Sequence, residues 1–381
     1  MNNAWHLPWS ADRVPHGVLD INRGCNIICR ACYNEAAPHN KTLDEIRDEL
    51  DIMIKLRRID SLALAGGEVM LHPQLPEIVK MIKQRGITVE IFTNGLLLDD
   101  AMSMKLSAAG ADLIFLHIEP SQQRTDLPDS SSFEDCRKLI EQKTRLICSY
   151  GMETGVVFTA CDELELPQFA DLVVSIPGIT YLLVTLCRNN SQIDWVEGDI
   201  IAGMSGQIGS GKVSSEVPCI ASVVKWFQKN YRLRPFARVG SNLDKMDTRW
   251  LSFLTGVVNL PDGKKYYASC HTGLIEKIYL QIYYCFKRRY PFYTHQNALQ
   301  FRMQLLLNAF SGGCLFGNLK LLTYSLRRKA KLRALRILLQ QPAEVIDNGT
   351  VVHCRNCPDA TVKNGRLVPL CLADKVREVE K

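Results

Sequence analysis

The sequence contains no apolar stretch of the roughly 18 residues that a membrane-spanning helix requires, so no helix crossing a bilayer is expected. Its opening, Met1-Asn2-Asn3-Ala4-Trp5, lacks the basic start and apolar run of a secretory signal. No internal repeat or low-complexity tract is evident. Fourteen cysteines in 381 residues fall below the density of a small disulfide scaffold. These absences favour reduced thiols in a cytoplasm, with peripheral attachment at a membrane as a variant of that placement. Acids are scarce in one segment. From His271 to Gln341 the acid Glu276 faces twelve Lys or Arg, a net +11, which leaves −5 for the other residues of a chain carrying +6. Such asymmetry points to an anionic partner: a lipid surface, a phosphate-bearing substrate or nucleic acid. Nucleic acid ranks last, because the segment lacks interleaved exposed aromatics suited to base stacking.

At 46% hydrophobic residues the chain can bury a large core, as more than one domain or as one domain with a sizeable appendage. From Gly17 to about Leu186 short β-branched runs alternate with longer helical patterns, as βαβ units on a parallel sheet do. Strands are expected near 17–21, 61–65, 87–92, 111–117, 154–160 and 180–186, and helices near 42–57, 73–85, 99–109, 133–150 and 162–175. Thr42 with Glu45 forms a capping box; Pro73 and Pro76 sit at a helix start, and Gly86 and Gly110 at helix ends. Beyond this, Asn189 to Gly211 is polar and glycine-rich and reads as a linker. Val257 to Ser269 reads as a hairpin broken by Pro261-Asp262-Gly263. Three helical stretches are expected near 271–290, 293–311 and 315–340, the last two amphipathic and basic.

The chemistry concentrates at Cys25-Asn26-Ile27-Ile28-Cys29-Arg30-Ala31-Cys32-Tyr33. Thiolates select zinc or iron–sulfur clusters. A four-iron cluster normally takes four cysteines, so three leave one iron open to an outside ligand. Buried structural thiols or a zinc knot are the bland readings of the same residues. The flanking run Gly17 to Ile21 is a short strand, which puts the loop where parallel barrels place their active sites. The spacing, three residues then two, followed by an aromatic, resembles the cluster loop of the radical S-adenosylmethionine (radical SAM) superfamily. One strand later, Ala65-Gly66-Gly67-Glu68 resembles that family's "GGE" turn.

The resemblance covers about half the chain. It implies a partial (βα)6 TIM-like barrel, a [4Fe–4S] cluster held by Cys25, Cys29 and Cys32, and S-adenosylmethionine with its methionine seated by Gly66, Gly67 and Glu68. Tyr33, Asn94, His117 and Glu119 become further cofactor contacts, and Thr93, Gly95, Thr159 and Arg188 softer ones at strand ends. It also implies oxygen sensitivity and a reductant such as flavodoxin or ferredoxin.

His353-Cys354-Arg355-Asn356-Cys357 and Cys371 form a second trio, joined by the turn Lys363-Asn364-Gly365-Arg366. On local pattern alone this suits a zinc ribbon. Beside the first trio it resembles the auxiliary-cluster (Twitch/SPASM-like) domain of radical SAM enzymes, which implies a second [4Fe–4S] cluster, with Cys270 as candidate fourth ligand. Cys219, Cys285 and Cys314 are expected to be buried thiols.

The expected fold class is therefore α/β: a partial barrel over 1–188, a linker and connecting helices over 189–255, and an α+β auxiliary-cluster domain over 256–381 with a basic helical insertion at about 271–341. A radical SAM enzyme acting on a lipid or isoprenoid is the preferred function. A peptide- or protein-modifying enzyme is the next, and a non-catalytic two-cluster electron carrier or zinc-stabilised binding protein stands outside enzymology.

Overall fold

The computed structural model describes residues 4–29, 32–34, 36–187, 219–292, 296–311, 315–346 and 350–375. After β1 (Trp5–His6), the apolar runs of the first half become six strands: β2 (His16–Asn22), β3 (Ser61–Gly66), β4 (Thr88–Thr93), β5 (Leu113–Leu116), β6 (Glu153–Ala160) and β7 (Ile179–Leu186). All are parallel and pair in chain order. Such strands are covered on both faces, which is why they read as continuous apolar runs.

The connections are α1 (Leu43–Leu56), α2 (Leu75–Lys83), α3 (Asp100–Ala109), α4 (Phe133–Ser149) and α5 (Leu166–Ser175). Thr42 and Glu45 close the capping box of α1, and α3 ends on Gly110 at φ 96°. Helix residues such as Ile46, Leu50 and Ile78 pack on outward strand residues such as Leu19, Leu64 and Ile91. The opposite face of the sheet carries Phe115, Val157, Tyr181 and Leu183, capped by Leu7 and Trp9.

The second half continues the same sheet. It comprises α6 (Ile220–Tyr231), β8 (Ala237–Gly240), β9 (Thr248–Asn259), β10 (Lys265–Cys270), α7 (Leu274–Lys287), α8 (Ala298–Phe310), α9 (Leu315–Ser325), β11 (Lys331–Gln340), β12 (Glu344–Val345), β13 (Val351–Val352), β14 (Ala360–Lys363) and β15 (Arg366–Pro369). The strand order is β1-β8-β9-β11-β7-β6-β5-β4-β3-β2, with β10 paired to β9. The stretch 189–255 therefore contributes β8 and most of β9 as well as α6, and the sheet runs through the boundaries expected at 188 and 256.

One expected helix is corrected. Residues 331–340 are not the end of a helix but β11, parallel to β7 and antiparallel to β9. The strand survives its charges because they are absorbed. Arg333 is buried and donates to the carbonyls of Ile179 (2.9 Å) and Val173 (2.5 Å) and to Asn259. The Arg336 guanidinium lies 5.1 Å from the centre of the Tyr181 ring. The helical insertion is thus α7 to α9 only.

The expected hairpins form. β9 and β10 pair across 261–263. β14 and β15 pair across Asn364 (φ 48°) and Gly365 (φ 74°), the left-handed pair that a tight hairpin turn demands. Arg188, Cys314 and the stretch from Asn189 to Gly211 lie outside the described residues. Among the described residues no helix is long and apolar enough to cross a membrane.

Candidate active site

Both cysteine trios line a single cavity. Cys25, Cys29 and Cys32 approach it from the loop after β2, and Cys354, Cys357 and Cys371 from the C-terminal hairpin region, around a volume of about 270 Å³. The first loop is stitched to the turn after β3 through backbone: Gly67 N donates to Asn22 O (2.9 Å) and Glu68 N to Gly24 O (2.8 Å). A Cβ on Gly67 would stand 2.0 Å from Gly24 O, and Gly66 holds φ +139°. The glycine pair is thus required for the loop to dock, in addition to any approach by a ligand.

The acid of that turn faces inward. Glu68 is buried; its carboxylate accepts from Met70 N (3.0 Å), Thr93 Oγ1 (2.6 Å) and Asn94 N (2.7 Å). Burial raises its carboxyl above the usual range in spite of these bonds. Asn94 Nδ2 in turn donates to Asn26 Oδ1 in the cysteine loop (2.7 Å). Glu68 and Asn94 tie the ends of β3 and β4 to the loop, so Glu68 positions the turn rather than offering a free carboxylate to the cavity. Gly95 N donates to Thr93 Oγ1 (2.9 Å).

His117, after β5, stands with Nδ1 3.9 Å from Cys29 Sγ and Nε2 3.4 Å from Glu119 Oε1. Burial opposes its protonation, but the Glu119 carboxylate and Cys29 outweigh it and lift the imidazole well above its ordinary value. Glu119 also accepts from Thr159 N. The Tyr33 hydroxyl is 3.4 Å from Gly66 O, and burial pushes the phenol up.

Sequence reasoning missed the loop that completes this wall. Gln122 O accepts from Ile28 N (3.0 Å), and its Nε2 lies 3.5 Å from Cys29 Sγ. Arg124, buried, donates to Asn94 O (2.9 Å) and pairs with Asp126 at 2.8 and 2.9 Å. The available signal was weak: a polar loop following a strand at the cavity end of the sheet. Arg23 was missed too; it joins Asp20 (2.7 Å) to Asp374 (2.6 Å) and so ties the first loop to the C-terminal segment.

In the second trio, Cys357 is buried, and Cys354 and Cys371 are half-buried. A hydrogen bond with Cys354, followed by burial, pushes the Cys357 thiol well up. Burial and then the neighbouring Cys357 push Cys371 up to about 12. Cys270 does not join them. It is fully buried among Leu254, Phe301 and Leu305, in an apolar cluster apart from the cavity, and burial pushes its thiol up to about 12. Its sequence position after the hairpin is misleading because β10 points it under α8 and α9. Cys187, after β7, does line the cavity. Cys219 and Cys285 are exposed, against expectation, each on or beside a helix whose buried face lies elsewhere.

The donor set fits an iron–sulfur group. Cys25 and Cys32 are pushed up first by burial and then, among other charges, by Cys29 and, for Cys32, also by Cys25. Neighbouring thiols that oppose one another's ionisation become a stable thiolate set once a multivalent cationic centre sits among them. Among the described residues no three His, Cys, Asp or Glu side chains converge as a single ion would need. The three thiols of the loop after β2 and the three of the C-terminal region face one cavity, and soft thiolates of this kind are the ligands that iron–sulfur clusters take.

Residues 19–173 match the family described as the radical SAM superfamily. Among curated proteins, the chain is 27% identical over 180 residues to the tungsten-containing aldehyde ferredoxin oxidoreductase cofactor-modifying protein of Pyrococcus furiosus, covering 44% of this chain and 50% of that one. It is 29% identical over 163 residues to the GTP 3′,8-cyclase of Chlorobaculum tepidum, covering 40% and 48%. It is 31% identical over 120 residues to the PqqA peptide cyclase of Granulibacter bethesdensis, covering 30% and 31%. The chain thus spans half or less of the length of these relatives.

Proposed function

We propose that this protein, whose residues 19–173 match the radical SAM superfamily, uses the cavity between its two cysteine trios to cleave S-adenosylmethionine reductively and abstract hydrogen from a bound substrate. A [4Fe–4S] cluster bound there would supply the electron for reductive cleavage of S-adenosylmethionine, and with it the radical chemistry that hydrogen abstraction from substrate requires. Everything else is positioning. Cys25, Cys29 and Cys32 would hold that cluster. Gly66 and Gly67 bring backbone to the cavity edge where the methionine end would rest, Glu68 and Asn94 fix that edge, and Tyr33 and His117 close the wall beside Cys29, with Glu119 outside the lining and 3.4 Å from the His117 imidazole. Cys354, Cys357 and Cys371 would hold a second cluster facing the same space. The observation that carries this reading is the shared cavity, since two separate structural metal sites have no need to face one another.

Such enzymes need a reductant, for which flavodoxin or ferredoxin is proposed here. The substrate proposed is a lipid or isoprenoid, supported by the basic, apolar helices α7 to α9. A peptide is the second reading, favoured by the likeness to the PqqA peptide cyclase of Granulibacter bethesdensis. The test is electron paramagnetic resonance on the anaerobically reconstituted, reduced protein. S-adenosylmethionine should shift the signal of the native chain, and the shifted component should be missing from Cys29→Ala; a spectrum indifferent to S-adenosylmethionine would sink the proposal.

A further inference from the structure

A second cavity of about 760 Å³ lies between the sheet and helices α7 and α8. Ligand pockets commonly measure about 300–1,000 Å³, so this is room enough for an extended chain. Its floor is largely apolar, with Trp5, Leu7 and Trp9 from the N-terminal segment and Phe253 and Leu338 from β9 and β11, interrupted by Ser252 and Arg336 of the same two strands. Trp250 belongs to the walls of both cavities. Its ring is 4% exposed, and Nε1 has no hydrogen-bond partner among the described residues. A buried N–H left unpaired is costly, and the residue that carries it is common to the linings of both cavities.

The roof is open. Ile275, Tyr279, Leu299, Met303 and Leu307 line the cavity from α7 and α8 yet remain 40 to 66% exposed. They belong to a larger face: of 25 exposed large hydrophobic residues among those described, 15 fall between Leu274 and Leu326. Around that face stand Lys277, Lys287, Arg302, Lys320, Arg327 and Arg328, against the acid Glu276, which is itself buried. Exposed Leu, Ile and Phe rimmed by cations suit the boundary of an anionic bilayer.

We infer that this chamber holds the hydrocarbon chain of a long-chain lipid or isoprenoid substrate, drawn from an anionic bilayer against α7 to α9, with its polar end at Trp250, the residue that lines both cavities. The chain would then run from the membrane, under the two helices, to the border of the cysteine cavity. That last step rests on the radical reading of the first cavity; occupancy of the chamber does not.

Trp5, Trp9 and Trp250 provide the reporter, because bromine on a bound chain quenches tryptophan fluorescence at contact. The reconstituted full chain is titrated with bromoalkanoic acids of increasing length, and separately with phosphatidylglycerol vesicles carrying brominated acyl chains. Affinity for the free acids should rise about four-fold per added methylene. Ser252→Phe, which fills the wall, and Met303→Asp, which puts a charge at the mouth, should each weaken quenching at least ten-fold while melting like the native chain. Neutralising Arg327, Arg328 and Lys329 to Gln should weaken vesicle binding roughly hundred-fold. Quenching without chain-length dependence, or retained in both chamber variants, overturns the inference, and so does lipid indifference with self-association of the chain through the same face. Quenching by free acids but not by vesicles overturns the membrane source. Formation of 5′-deoxyadenosine by the native chain is scored in parallel: cleavage without chain binding defeats the chamber alone, and chain binding without cleavage defeats the radical reading alone.

Discussion

Arg57 Nη1 donates to the carbonyl oxygen of Cys357 at 2.9 Å, joining residues 300 apart in sequence. The guanidinium is fully buried at the end of α1 and donates also to His16 O (3.0 Å) and Ala11 O (3.2 Å). Burial pulls its pKa down to about 10, so it stays charged at neutral pH. A buried cation shared among carbonyls clamps the second cysteine group to the first strand and helix. Arg57→Met should therefore cost about 3 kcal/mol, seen as a lower denaturation midpoint, and should reduce iron retained at Cys354, Cys357 and Cys371. Arg57→Lys should recover little, because an ammonium cannot reach several carbonyls as the planar fork does. An unchanged midpoint with unchanged iron content would remove the clamp.

The two glycines that meet across the first loop should respond unequally. A Cβ on Gly67 lies 2.0 Å from Gly24 O, whereas one on Gly24 finds nothing nearer than 3.9 Å. Gly67→Ala should displace the cysteine loop, lowering stability by about 2 kcal/mol and abolishing the response of the cluster signal to S-adenosylmethionine. Gly24→Ala should be tolerated in both measurements. Equal effects would mean that the docking is not what the glycine serves.

Iron counting separates the cysteines. The native chain should hold about eight irons, and Cys354→Ala about four, as two four-iron clusters require. Cys270→Ala should keep the native count while losing about 1 kcal/mol of stability for the small cavity left under α8 and α9. Loss of iron on removing Cys270 would restore it as a ligand, against its place among Leu254, Phe301 and Leu305.

His16 gives a pH dependence whose sign is fixed. Its ring is buried, 2.7 Å from Ser61 Oγ, and stacked on Phe292 with centroids 4.3 Å apart. Burial, then the charge of Arg57, pushes its pKa from 6.5 to about 3. Glu90 and Asp359 stand 3.6 Å away, but burial pushes the Asp359 carboxyl up to about 6, so below about pH 6 and above about pH 3 the neutral ring lies beside a neutral Asp359. The unfolded chain thus takes the proton first, and stability present above about pH 6.5 is lost as pH falls toward about 3. In urea midpoints across that window His16→Gln should decline less steeply than the native chain; parallel decline would refute the assignment.

Much of the architecture was legible because its signals are local. The six parallel strands announce themselves as apolar runs, and Thr42, Gly110 and the Asn364-Gly365 pair mark ends and turns through their own capping and backbone preferences. What failed was non-local. β11 reads as part of a basic amphipathic helix until β7, some 150 residues earlier in the chain, supplies the Ile179 carbonyl that quiets Arg333. The cysteine spacings were visible, yet the convergence of both trios on one cavity follows from Arg57, Arg23 and Asp374, pairings that no periodicity reveals. Arg124 and Asp126 lie in a loop, where polar residues are expected and carry no pattern.

The most direct measurement is 5′-deoxyadenosine released after anaerobic reconstitution with iron and sulfide, followed by dithionite and S-adenosylmethionine. The native chain should form it, and Cys25→Ala, Cys29→Ala and Cys32→Ala should not. A native yield no higher than that of Cys25→Ala would contradict radical initiation at the loop after β2.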